Sequence, residues 1–141
     1  MVNRSEFQKL ARERIADAKS LLAAKRWSAA YYLAGYGVEC ALKSCVLNHL
    51  ASSAEVIFED RRYSEKCWTH NLNQLVDLAG LRLAFVSDSS GDPDLLSNWN
   101  LVKDWNEGSR YERQSKADAE QLYDAIADKR HGVLKWVKRY W

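Results

Sequence analysis

One run constrains this chain more than any other: Tyr31-Tyr-Leu-Ala-Gly-Tyr-Gly-Val-Glu-Cys-Ala-Leu-Lys43, in the middle of a longer apolar stretch. At about 100° per residue, an α-helix brings Tyr32, Tyr36, Glu39 and Lys43 into one narrow sector. Ala30, Ala34, Gly37, Ala41 and Ser44 then share the opposite side, where small side chains let another backbone come close. Tyr31, Val38, Leu42 and Cys45 on one flank, and Leu33 and Cys40 on the other, are apolar. The run therefore reads as a buried helix with one polar seam, and the rest of the chain must pack around it.

A chain of 141 residues suits a single domain, 1–141, long enough to bury a sizeable core. Six Trp, seven Tyr and a hydrophobic fraction of 47% exclude disorder, while one Pro and six Gly argue against a turn-rich β architecture. With 21 basic and 19 acidic residues the net charge is +2, so no bulk field marks a nucleic-acid or membrane binder; a local patch is compatible with that balance. Cys40, Cys45 and Cys67 are odd in number and form no CxxC motif, as expected of reduced thiols without a disulfide. Met1 to Phe7 lack the apolar core of a signal peptide, and Glu39 and Lys43 interrupt the one possible span, Ala29–Leu47. A cytoplasmic chain without membrane contact is expected.

Taken in order, Asn3 and Glu6 have the spacing of a capping box, and Phe7, Ala11, Ile15, Ala18 and Leu22 follow at helical intervals, predicting a first helix to about Ala24. The short link Lys25–Ser28 implies a hairpin with the second helix, about Ser28 to Leu50 and ~35 Å long. Gly35 and Gly37 inside it each cost ~1 kcal/mol relative to Ala, tolerated where close packing or a bound group needs the missing side chain. Ala51–Thr69 reads mostly as loop. Thr69 is placed to cap a third helix, His70 to Ala79, with Leu72, Leu75, Val76 and Ala79 inward and Gly80 as its stop. Leu81–Val86 is too short to classify, and Ser87–Asp92 reads as a surface loop. Asp92-Pro93 starts a fourth helix in N-cap and N1 order, lined by Leu95, Trp99, Val102 and Trp105. After a break at Asn106–Tyr111, Ser115 and Asp118 open a last helix carrying Ala119, Leu122, Tyr123, Ile126, Val133, Leu134 and Val137. The expectation is an all-α, antiparallel up-and-down bundle of about five helices.

Four segments together resemble the HEPN superfamily: the Ala30–Lys43 run, Thr69-His70-Asn71-Leu72, Trp105-x5-Arg110-Tyr111 and His131-Gly-Val-Leu. The resemblance spans the second helix to the C-terminus. It implies a small helical bundle, commonly a prokaryotic homodimer, tied to nucleotide or RNA transactions. Such proteins occur in toxin–antitoxin systems as ribonucleases, or as partners of minimal nucleotidyltransferases. The ribonuclease members place a His four to six residues after an Arg. Here neither His70 nor His131 has an Arg at that distance, and His49 has Lys43 instead. Lys is not equivalent to Arg at a phosphate fork, and Lys43 and His49 stand ~120° apart on a regular helix. The catalytic motif is therefore absent; the resemblance implies the fold and a nucleotide or RNA connection, and the expectation is a binding or partner-docking module without a cofactor, with a ribonuclease of non-standard residues or a purely structural dimeric scaffold as alternatives.

The residues offer several candidate sites. Tyr32 and Tyr36 present stacking faces, Glu39 an acceptor for base or ribose groups, and Lys43 a phosphate contact. The alternative for the same seam is an i,i+4 Glu39–Lys43 pair with half-buried tyrosines, or a dimer interface. Arg110 and Tyr111, beside Trp105, suit a phosphate and a stacked base; alternatively Arg110 pairs with Glu39 to hold the bundle together. His70 is a candidate proton-transfer group or phosphate ligand, or a structural turn residue. If the chain is a metal-independent ribonuclease, His70 or His49 would be the base, with Arg110 or Lys43 stabilising the phosphate. His131 is expected to be solvated, and no His or Cys spacing fits a metal site. The six Trp read mainly as core or interface anchors, and Lys135, Lys138 and Arg139 as a solvated face beside an interface tail.

Overall fold

Local signals set the first elements. The Asn3 side chain accepts from the Glu6 amide at 2.9 Å while a Glu6 carboxylate oxygen accepts from the Asn3 amide at 3.2 Å, closing the capping box that opens α1, Arg4–Ala23. In this computed structural model residues 3–52 and 68–141 are described, and every described element is helical. Lys25, at φ 59°, turns the chain, and the Lys25 and Arg26 amides donate back to Leu22 and Leu21. Helix α2, Trp27–Ser52, follows at once and is the hub of the molecule.

The small-residue side of α2 receives α1. A Cβ added at Gly37 would lie 2.8 Å from Ile15 Cδ1 and 3.3 Å from the Ala11 main-chain oxygen, and Ala30, Ala34 and Ala41 are fully buried around it. The expected first-helix stripe holds, with Ala11 and Ala18 buried and Phe7 and Ile15 packed on the core. The other helices that touch α2 are α3, Leu72–Leu78; α6, Lys116–Ala127; and α7, Val133–Lys138. A 3-10 turn, Glu107–Tyr111, packs on it as well. Leu42, Leu72, Leu75, Ile126 and Trp136 are among the largest buried side chains of one core cluster, each burial contributing roughly 1.5–3 kcal/mol.

Several expectations need correction. Asn71, not Thr69, caps α3: its side chain accepts from the Gln74 amide at 3.1 Å, while Thr69 Oγ1 accepts from the Asn71 amide. His70 is thus left outside the helix. Residues 82–90, read as an unclassified run and a loop, form α4, Arg82–Ser90; Ser90 Oγ donates to the Ser87 carbonyl and Phe85 packs between Trp99 and Trp136. Asp92 and Pro93 do open α5, Pro93–Val102, with the Asp92 side chain accepting from the Leu95 amide. The single last helix is two. Asp128 Oδ1 accepts from the Arg130 and His131 amides, and a Cβ at Gly132 would lie 2.4 Å from the Asp128 carbonyl oxygen, so the chain turns between α6 and α7. The count among described residues is therefore seven α-helices rather than five. The loop expected at Ala51–Thr69 begins with the last two residues of α2, and 53–67, with Cys67, lie outside the described residues.

The end of the chain is folded in. The Trp141 main-chain oxygen accepts from Arg4 Nε, Gln8 Nε2 and Ser44 Oγ, and Tyr140 carbonyl from Asn48. Trp136 Nε1 and the Tyr140 hydroxyl both donate to Asp88 Oδ2, at 2.8 and 2.7 Å. Lys135, Lys138 and Arg139 face solvent. Cys40 and Cys45 are buried free thiols whose pKa values burial pushes up to about 11 and about 12. No helix among the described residues is long and apolar enough to cross a membrane.

Candidate functional site

The polar seam of α2 meets two segments brought to it from far along the chain. Glu39 is only 2% exposed, yet both its oxygens are engaged: Oε2 accepts from Lys43 Nζ at 3.2 Å, and Oε1 lies 2.9 Å from His70 Nδ1. The other ring nitrogen, His70 Nε2, lies 3.1 Å from Glu107 Oε2 at the start of the 3-10 turn. One imidazole thus bridges a buried and a half-exposed carboxylate. A buried carboxylate is tolerated only when paired and hydrogen-bonded, as here.

Beside this cluster lies an aromatic path. Tyr36 stacks on Tyr32 at 6.1 Å between ring centroids, and Tyr32 stacks on Trp105 at 5.9 Å. Trp105 is 2% exposed and lies flat on Gly35: a Cβ there would be 2.2 Å from its Nε1. Gly35 is therefore required by close approach, one of the two reasons its cost is tolerated in a helix. The indole N–H donates to no acceptor among the described residues. Past Tyr32, the exposed Arg110 stacks on Tyr111 with its guanidinium 4.9 Å from the ring centre. Tyr111, and then Tyr32, raise the Arg110 pKa. Burial first, then Cys40 and Glu39, raise the Tyr36 hydroxyl.

Glu107, His70 and Trp105 also line a polar cleft of about 420 Å³ whose other walls are Thr69, Asn71, Asn73, Lys103, Asp104 and Asn106. That volume is within the range of small-molecule sites. A second hollow of about 270 Å³, lined by Tyr31, Leu101 and Leu122 among others, holds none of the candidate residues.

Most candidates therefore converge: Tyr32, Tyr36, Glu39, Lys43, His70 and Trp105 form one connected cluster in which Glu39 and Trp105 are buried, with Arg110 and Tyr111 at its edge. The suggested Arg110–Glu39 pair does not form, because Lys43 and His70 occupy both Glu39 oxygens. His49 lies elsewhere, its ring against Gly80, whose φ of +70° ends the turn after α3. His131, expected in solvent, pairs through Nδ1 with Asp92 Oδ1 at 2.8 Å, and that contact raises its pKa. Trp68 is 78% exposed and is therefore not one of the core tryptophans. Among the described residues, no group of three His, Cys, Asp or Glu side chains is arranged to hold a metal ion.

Sequence reading missed Glu107, Asn73, Lys103 and Asp104. They sit in short polar segments with no periodicity, and only their convergence on His70 and Trp105 gives them meaning. Gly35 was the one local signal for the indole that covers it. No protein-family model matches this chain, and neither a curated protein nor a solved structure does.

Proposed function

We propose that this chain is a HEPN-like module that binds a nucleotide or RNA. The observation that carries the reading is the continuous Tyr36–Tyr32–Trp105 path, flanked by Arg110 and opening beside a polar cleft. The half-buried Tyr32 and Tyr36 offer ring surface to a base with the buried Trp105 backing Tyr32, guanidinium and ammonium groups accept phosphate, and the cleft offers amide and carboxylate partners for polar edges. The up-and-down antiparallel arrangement, a homodimer, and a role beside a nucleotidyltransferase-like partner or within a toxin–antitoxin pair belong to the same proposal. Fluorescence anisotropy with short single-stranded RNA and with mononucleotides, at low salt, tests it. Tyr32→Ala should weaken binding by ~5- to 100-fold, the worth of one stacked base. Absence of binding by the native chain at low salt overturns the reading in favour of a dimeric scaffold.

One observation favours a second reading, a metal-independent ribonuclease. A buried carboxylate that fixes an imidazole whose second nitrogen lies against the half-exposed Glu107 at the cleft would be a positioned general base once Glu107 turns away. If RNA is cleaved in EDTA and His70→Ala leaves the rate unchanged, His70 is not that base.

A further inference from the structure

The two carboxylates that His70 joins are unequal, and the inequality has a consequence. Each ring nitrogen faces a carboxylate oxygen, at 2.9 Å from Glu39 and 3.1 Å from Glu107. Only the doubly protonated ring can donate to both; a neutral imidazole has one N–H and must leave one carboxylate facing a lone pair. Glu39 is 2% exposed and cannot turn to water, whereas the Glu107 side chain is half exposed and can. An unsatisfied buried acceptor costs more than a solvated one, so the single proton of the neutral ring goes to Nδ1 and the Glu107 contact is the one released.

We propose that His70 is a proton-operated latch across the mouth of the cleft, closing the 3-10 turn Glu107–Tyr111 onto α2 when doubly protonated and freeing that turn when neutral. Glu107 is the first residue of the turn, two residues after Trp105 and three before Arg110, so the freed turn lies between the edge of the cleft and Arg110. The charged groups around the latch come from each packed element. Lys43, on α2, partners Glu39. Lys103 and Asp104, after α5, line the same cleft. Asn71 and Asn73, around the start of α3, are neutral. On α1, Arg14 pairs with Asp17 and Glu13. The proposal does not depend on what the cleft binds.

Its test is an NMR pH titration of the full chain. The ring nitrogens of His70 and the amides of Glu107 to Glu112 are followed together. The latch requires the amide shifts to share the His70 midpoint. The Ser109 and Glu112 amides, which close the turn onto Asn106 and Ser109, should lose about tenfold of their exchange protection above that midpoint, after correction for intrinsic rates. Glu107→Gln, a change at an exposed side chain, should abolish the coupled amide shifts while His70 still titrates; His70→Gln should abolish both. Amides that ignore the His70 titration, or that still shift in Glu107→Gln, overturn the latch. RNA binding is not part of the readout, so failure of the binding proposal leaves this result intact.

Discussion

Two buried tryptophans organise opposite kinds of chemistry. Trp136 is packed edge-on against Phe85, and its N–H and the Tyr140 hydroxyl share one oxygen of Asp88. That cluster is closed: its polar atoms are satisfied and its rings interlock. Trp105 is as deeply buried, but it rests on a glycine, its N–H has no acceptor among the described residues, and it borders a polar cleft. Buried unsatisfied donors cost about 1–3 kcal/mol and are rare, and they concentrate where a fold serves something other than its own stability. The comparison teaches that depth of burial alone does not separate core from site; the state of the polar atom does.

The largest effect should come from the closed cluster. Trp136→Ala is expected to cost about 3–5 kcal/mol in urea unfolding, because a fully interlocked indole leaves a cavity that Phe85 and Tyr140 cannot fill. A loss below about 1 kcal/mol would show that the cluster is not part of the cooperative core. Next is Gly35→Ala. Helix propensity alone predicts a gain of about 1 kcal/mol, whereas the collision with the Trp105 ring predicts a net loss of about 2 kcal/mol and a Tm lowered by about 4–8 °C. The sign of the shift decides between them. Third, phenylalanine replaces each indole in turn. Trp136→Phe removes one of the two donors to Asp88 and should be about 1–2 kcal/mol more damaging than Trp105→Phe, which removes a donor that had no partner among the described residues. Equal losses would erase the distinction drawn here.

The smallest effects concern pH. Hydrogen bonds from Tyr140, then Trp136, lower the Asp88 pKa, so the cluster's contribution is present above the ordinary carboxylate value and is lost as pH falls through the depressed one. His131 is the reverse: its bond to Asp92 raises its pKa, so its contribution is full below the ordinary imidazole value and disappears as pH rises through the raised one. A Tm–pH profile should therefore lose part of its acid limb in Asp88→Asn and part of its neutral-to-alkaline decline in His131→Gln. Profiles parallel to that of the native chain would remove either contact from the stability of the fold.

What could be read from the residues follows the range of the interactions. The Asn3–Glu6 box, the Asp92-Pro93 start and the Tyr32–Lys43 seam are set within a few residues, and each forms where periodicity and cap chemistry place it. Helix α4 was hidden because three serines within Ser87–Ser90 look like loop, and only the Phe85 contacts and the serine bonds to preceding carbonyls reveal why it is helical. The division of the last helix rests on an Asp128 side chain turned back on its own backbone, a choice that competes with helix continuation without altering the hydrophobic period. His70 is the clearest limit. Its residue type marked it as a candidate, but its two partners lie 31 and 37 positions away, and no local pattern pairs them.

The seat of Trp141 carries a kinetic meaning. The bond from Arg4 to its main-chain oxygen joins residues 137 apart, enclosing nearly every other contact in the fold. Loop-closure entropy makes so distant a pairing unfavourable until the intervening segments have collapsed, so it should belong to the native side of the folding barrier. With Arg12 and Lys138 stacked on the Trp141 ring, that indole is a built-in reporter of completion: mutations at the seat should quicken unfolding and leave the folding rate nearly untouched.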